Sequence, residues 1–222
     1  MTEAQAARGR GVSRTLKVEF ALFYVIVPVA GAVLLPANAM FGLLFGMTAL
    51  GLLLLQITPG FGWHELTRGW HRVDWARVAG LALLTAAAAW AVLQATRPGA
   101  MFFLPRERPQ LMLAIALLYP LLSALPQEIV FRPLFFRRYG ALFGHERLAL
   151  TVNAAVFSLA HLMYWSWIVA AMTFVGGLAF AEAYARRGSF PTAVVQHAVA
   201  GIVLFAMGMG VYFYSGAVTR PF

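Results

Sequence analysis

The sequence predicts an all-α, polytopic transmembrane helix bundle of about seven spans with a cytoplasmic N-terminus. Three observations predict it. The first is composition: of 222 residues, 61% are hydrophobic and 11% charged, with a mean hydropathy of +0.76, whereas soluble domains carry roughly 25% charged residues. The second is run length. Apolar segments recur at a length of about 20 residues, enough to cross a hydrocarbon core of about 30 Å at 1.5 Å per residue. The third is that the basic residues sort to alternate connections.

The spans are read at 18–36, 38–57, 76–96, 109–136, 146–163, 165–186 and 190–214. Pro36, Pro59-Gly60, Pro98-Gly99, Gly140 and Gly188 punctuate them, as helix-stopping residues do. With the N-terminus inside, the cytoplasmic segments hold Arg8, Arg10, Arg14, Lys17, Arg68, Arg72, Arg77, Arg137, Arg138, Arg147, Arg186 and Arg187. The outer segments hold Arg97, Arg106, Arg108 and Arg220. This is a positive-inside bias. It accounts for the net charge of +9 without nucleic acid as a partner. Residues 1–17 read as a basic cytoplasmic tail and 18–216 as one membrane domain. No cleavable signal is expected; the first span serves as its own anchor.

The stretch FGWHELTRGWHRVDWAR, Phe61 to Arg77, reads as an interfacial segment, with Trp63, Trp70 and Trp75 at headgroup level. The outer connection TRPGAMFFLPRERPQ, Thr96 to Gln110, reads as irregular or re-entrant. Gly176-Gly177 and the glycines of AMGMG, Ala206 to Gly210, read as close helix contacts. With no cysteine, disulfides, a thiol nucleophile and a cysteine metal site are excluded.

Ionisable groups in hydrocarbon cost at least about 2.5–3.5 kcal/mol near a helix centre, so the few present need partners or work. Glu3, Glu19, Glu65, Asp74, Glu107 and Glu146 fall at ends or in loops, and Glu182 lies a turn from Arg186 near a cytoplasmic end. Glu128 is well inside, with Arg132 one turn further on the same face. Of the histidines, His64, His71 and His145 lie in loops, while His161 and His197 lie in spans. Gln127, Asn153 and Gln196 stand beside this set.

Glu128 precedes Arg137 by nine residues and His197 follows Gly188 by nine, so each sits about 14 Å from the cytoplasmic end. His161 is about 21 Å or less from Arg147. Three helices therefore bring polar groups to one layer. A carboxylate in such a pocket, balanced between desolvation and a neighbouring cation, and a neutral imidazole suit hydrolysis by an activated water. Each part also has a plain structural reading: a fastening ion pair, and helix-packing histidines.

The order QEIVFR, FSLAH and HAVAG resembles the CAAX-protease and bacteriocin-processing (Abi) family of intramembrane endopeptidases. That family's pattern is Glu-Glu-x-x-x-Arg, Phe-x-x-x-His and His-x-x-x-Asn or Asp on three helices. The resemblance covers roughly residues 115–205 of a family-like core at about 109–214. It implies that Gln127, Glu128, Arg132, His161 and His197 form the catalytic set, with Phe157 beside His161, and that no metal or other cofactor is needed. The implied partners are membrane lipids and a peptide or protein held at or in the membrane. The implied location is a bacterial or archaeal cytoplasmic membrane. Two positions depart: Gln127 stands for the pattern's first glutamate and Gly201 for its final Asn or Asp. Glu128 could serve as base in its place, the chain could be a silent relative that binds a membrane peptide, or Gln127 could be an inactivating isostere. Two further readings stay open, a haem held by His161 and His197 and a zinc site of these with Glu128. The site is expected to open toward the cytoplasm or laterally to lipid.

Overall fold

The structure is a computed structural model that describes residues 14–222. Residues 1–13, which include Arg8 and Arg10 of the basic tail, lie outside the described residues. Seven main helices follow in order: α1 (Arg14–Leu34), α2 (Ala37–Gln56), α3 (Trp75–Thr96), α4 (Pro109–Phe143), α5 (Glu146–Leu159), α6 (Trp167–Ala185) and α7 (Phe190–Met207). The described residues contain no strand. The protein is an all-α polytopic membrane bundle, as composition requires.

Local chemistry sets the helix ends. Leu35 is extended (ψ 145°) because it precedes Pro36. Asp74 caps α3 by accepting from the Arg77 backbone N–H at 3.2 Å. His145, Ser166 and Ser189 cap α5, α6 and α7 in the same way, satisfying N–H groups that have no intrahelical acceptor. At the other end of α7, Gly208 has φ 110°. A Cβ there would drive into the Ala100 carbonyl, so only glycine lets the outer connection lie against the helix end. Phe102 N–H completes that seam on Met207 O at 3.0 Å. The connection is irregular, with a turn at Pro98–Ala100 and a short helix at Phe103–Glu107.

The expected fifth span is shortened. α5 has 14 residues, about 21 Å of rise, and ends in turns through Trp165, whose φ is 48°. Among the described residues, six helices are therefore long and apolar enough to cross a membrane. α5 packs beside α6, where Gly177 faces the Ala154 backbone, and a Cβ would lie 3.2 Å from Ala154 Cα. Gly176 meets only Phe180 of its own helix, so the expected close contact belongs to Gly177.

α4 is the 35-residue spine. Proline has no N–H to give and clashes with the preceding turn, and α4 widens into π turns at Pro120–Ala124 and at Val130–Tyr139, the latter containing Pro133. Between them lies a short α segment, Leu125–Ile129, that carries Gln127 and Glu128. α1 packs on the second π segment through Phe20 and Tyr24 against Phe135 and Tyr139. The Tyr24 hydroxyl donates to Val130 O at 2.6 Å.

The charges sort to two ends. At one, Glu19 pairs with Arg138, Glu65 with Arg137, Glu146 with Arg186, and Glu182 with Arg77 and Arg187. Glu182 thus reaches Arg77 across the bundle, and Arg186, its expected partner, turns to α5. At the opposite end Tyr212 donates to Thr96 at 2.7 Å, and Arg220 reaches Val33 O and Leu35 O. By the charge rule the first end is cytoplasmic.

Candidate active site

Consecutive helical residues point about 100° apart, and Gln127 and Glu128 use that difference. Gln127 lines a cavity of about 1470 Å³, whereas Glu128 does not line it and is fully buried. Glu128 Oε2 accepts from Arg132 Nε at 2.8 Å, and Oε1 accepts from Arg132 Nη2 at 3.3 Å. Oε1 also accepts from His197 Nδ1 at 2.9 Å. Both carboxylate oxygens are thus engaged. The expected pairing with Arg132 is present, but the reading of Glu128 as the base that takes a proton from water meets a carboxylate that the rotation from Gln127 aims into the bundle, away from the cavity.

Arg132 is also fully buried. Its Nη1 donates to Asn153 Oδ1 on α5, and Asn153 Nδ2 donates to Phe131 O at 2.6 Å. The guanidinium lies over the rings of Phe157 and Phe180, 5.2 and 5.6 Å from their centroids, an attraction between cation and ring face. Glu128, Asn153, the Phe131 carbonyl and two aromatic faces together replace the hydration that Arg132 loses. Asn153 was visible in the sequence as an intramembrane amide; its role depends on α5 packing against α4.

Two imidazoles face the cavity. His197 stacks on Phe180, with centroids 4.9 Å apart and planes at 9°. Its Nδ1 meets a carboxylate held by arginine, an acceptor, so Nδ1 carries a proton, and in the neutral imidazole Nε2 is the bare nitrogen. His161 follows α5, and its Nδ1 meets Phe157 O at 2.8 Å. A carbonyl can only accept, so here too Nδ1 is protonated and Nε2 bare. Phe157 stands edge-on to both rings, 4.8 Å from His161 and 5.5 Å from His197. The structure thus gathers Glu128, Arg132 and His197 into one bonded cluster and sets His161 across Phe157 from it.

Gln127 Nε2 donates to Ser123 Oγ at 2.9 Å. Tyr119, Ser123 and Gln127 recur every fourth residue and all line the cavity, forming a polar stripe along its α4 wall. The Tyr119 ring lies 6.0 Å from His197 and fills the space beside Gly201, so that any Cβ at Gly201 would collide with the phenol. Sequence reading singled out neither Tyr119 nor Ser123; their four-residue spacing to Gln127 was the available signal. Among the described residues, no group of three or more acidic or histidine side chains is placed to hold a metal ion.

The cavity reaches the outer end. Phe103, Arg108, Tyr164, Gly208 and Tyr214 line it together with His161 and His197. Of the two openings expected, toward the cytoplasm or laterally to lipid, the first finds no support in the lining: none of the ion-paired residues of the cytoplasmic end lines the cavity. The lateral opening fits exposed Leu84, Leu118, Leu122 and Val175 on the cavity wall.

Helices, buried charge cluster and cavity define a multi-pass membrane protein with a polar site enclosed at bilayer depth. The family model described as Type II CAAX prenyl endopeptidase Rce1-like matches residues 109–213. That region, α4 through the turn after α7, matches the model of the family that its motifs resemble, and α1–α3 lie outside the match. No curated protein and no solved structure matches the chain.

Proposed function

We propose that the protein is an intramembrane endopeptidase that hydrolyses peptide bonds of membrane-held substrates with a histidine-activated water. The observation that carries this is the Glu128–His197 pair: the carboxylate fixes the imidazole through Nδ1, and its bare Nε2 belongs to a residue lining the cavity. A base oriented by a buried third group is the general arrangement for activating a nucleophile.

In the reaction, His197 Nε2 takes one proton from water, and the hydroxide oxygen bonds to the peptide carbonyl carbon. The carbonyl π pair moves to oxygen. The tetrahedral intermediate then collapses, the C–N bond breaks, and the imidazolium proton passes to the amine nitrogen. Products are a carboxylic acid and an amine, and His197 returns to its neutral form. Glu128 stabilises the imidazolium while Arg132 holds the Glu128 carboxyl in place. His161 Nε2 accepts the second hydrogen of the water and so holds it. Gln127, with its carbonyl and second N–H free, aligns the substrate backbone. No step in this reading requires a cofactor. The substrate is a peptide segment that enters from lipid or from the outer end.

A second reading, a protein that binds a membrane peptide without cutting it, is favoured by one observation: among the described residues no carboxylate lines the cavity. Cleavage of a panel of membrane peptides by the purified protein in detergent separates the two. The wild type should cut, His197→Gln and His161→Ala should each lose about 10²-fold or more, and a chelator should have no effect. If the wild type is silent while Gln127→Glu cuts, the binding reading is correct. Loss of activity with chelator would require a metal-dependent mechanism instead.

A further inference from the structure

Gly201 occupies the middle of α7, where glycine is less favourable than alanine. It needs no positive φ, and it is buried. What it provides is room. Of all the described atoms, those that an added Cβ would strike first are Cε1, Cζ and the hydroxyl oxygen of Tyr119. The phenol is thus seated in a notch one turn beyond His197 on α7. Tyr119 itself sits on the last α-helical turn before Pro120 opens the π segment of α4.

The notch fixes the direction of the hydroxyl. Tyr119, Ser123, Gln127, His197 and Gly201 all line the cavity, and the Tyr119 hydroxyl neighbours the Ser123 side chain. The two histidines present bare nitrogens, which accept protons. Peptide hydrolysis also needs a donor where negative charge develops on the carbonyl oxygen. A phenol O–H is a donor with a rigid ring behind it, and here it stands beside the imidazole that takes the proton from water.

We propose that Tyr119 is the oxyanion donor of the site, and that Gly201 is a positioning residue whose missing side chain seats the phenol. This rests on the hydrolase reading above. The phenol donates a hydrogen bond to the carbonyl oxygen as the C=O pair moves onto it, and the O–H bond itself does not break. When the carbonyl re-forms, the hydrogen bond relaxes. Gln127 supplies a second N–H from the same stripe.

The test uses the tightest-binding peptide of the cleavage panel and its phosphinic isostere, in which a tetrahedral P–O⁻ replaces the scissile carbonyl. Affinities of the full-length protein in detergent are measured for both. The wild type should prefer the phosphinate by about 10²-fold or more, as sites built for a transition state do. Tyr119→Phe keeps the ring and its packing, and should cut that preference by about 10-fold to 10²-fold while changing amide affinity less than about twofold. Gly201→Ala, which pushes the phenol out of its notch, should do the same. In cleavage, both variants should lower kcat and leave KM near the wild-type value. A preference retained by Tyr119→Phe overturns the assignment and leaves the hydrolase reading standing. An equal loss of affinity for amide and phosphinate shows a packing role and also overturns it. A wild type with no phosphinate preference overturns both.

Discussion

Replacing Glu128 by leucine should destabilise the protein far more than removal of one hydrogen-bonding group, because of what it strands. Glu128 and Arg132 are both fully buried and 2.8 Å apart. With the carboxylate gone, Arg132 keeps only Asn153, the Phe131 carbonyl and two ring faces. Breaking one side of a buried pair costs about 3–5 kcal/mol, a drop of roughly 6–20 °C in melting temperature for a domain of this size. Arg132→Met should cost as much, since it leaves the carboxylate unpaired. The double variant Glu128→Leu/Arg132→Met removes both charges. Its main residual debt is the His197 Nδ1–H, left without its acceptor, at about 1–3 kcal/mol. The cycle should therefore show a favourable coupling of about 3 kcal/mol or more. The assay is reversible unfolding in mixed micelles on all four proteins, followed by circular dichroism. Additive losses in the double variant, or a Glu128→Leu protein within about 0.5 kcal/mol of wild type, would refute the account of this cluster.

Three further outcomes follow from the packing. Tyr24→Phe removes the 2.6 Å hydrogen bond to Val130 O with little change of shape, and unfolding in micelles should show a loss of about 0.5–1.5 kcal/mol. Gly177→Val, which sets side-chain atoms against the Ala154 backbone, should cost about 1–3 kcal/mol as overpacking; Gly176→Ala, opposed only by the rim of Phe180, should cost clearly less in the same assay. Gly208→Ala combines an unfavourable φ of 110° with a collision on Ala100 O, so the outer connection should detach, read as faster proteolysis between Pro98 and Arg108.

How far the sequence reached depends on how local each feature is. The Glu128–Arg132 pair is set by helical spacing alone, and the depth of His197 follows from rise per residue, so both could be read directly. The end of α1 and the start of α7 were also legible, since Pro36 and Gly188 act within a few residues, whereas α7 ends at Met207, short of the expected Tyr214. The length of α5 was not, because the apolar run continues past Leu159 through a turn that only the fold reveals. Nor was the facing of Gln127 and Glu128. Their 100° separation was known, but which of them meets the cavity depends on how α4 rotates through two π segments. Tyr119 and Gly201 are 82 residues apart in sequence, and their interlock is purely tertiary. The choice between a cytoplasmic and a lateral opening was not legible for a related reason: the aromatic pack of α1 against α4 is a tertiary pairing that leaves no periodic signature.

The cluster and the cavity answer to different demands, and only one of them speaks to catalysis. An arginine at bilayer depth must be compensated wherever it occurs, so the Glu128, Asn153 and aromatic shell around Arg132 would be required even in a chain that cut nothing. That shell explains why the charges are there, and it holds α4, α5, α6 and α7 in register. It does not require bare imidazole nitrogens. Packing alone would be as well served by His197 and His161 with both nitrogens bonded to protein, and a hydroxyl and an amide on the Tyr119–Ser123–Gln127 stripe add nothing to the stability of Arg132. These groups turn toward space that lipid or peptide can enter. Their residual hydrogen-bonding capacity is what a reacting carbonyl and a water would use, and it is the part of the site that a purely structural role leaves without a reason.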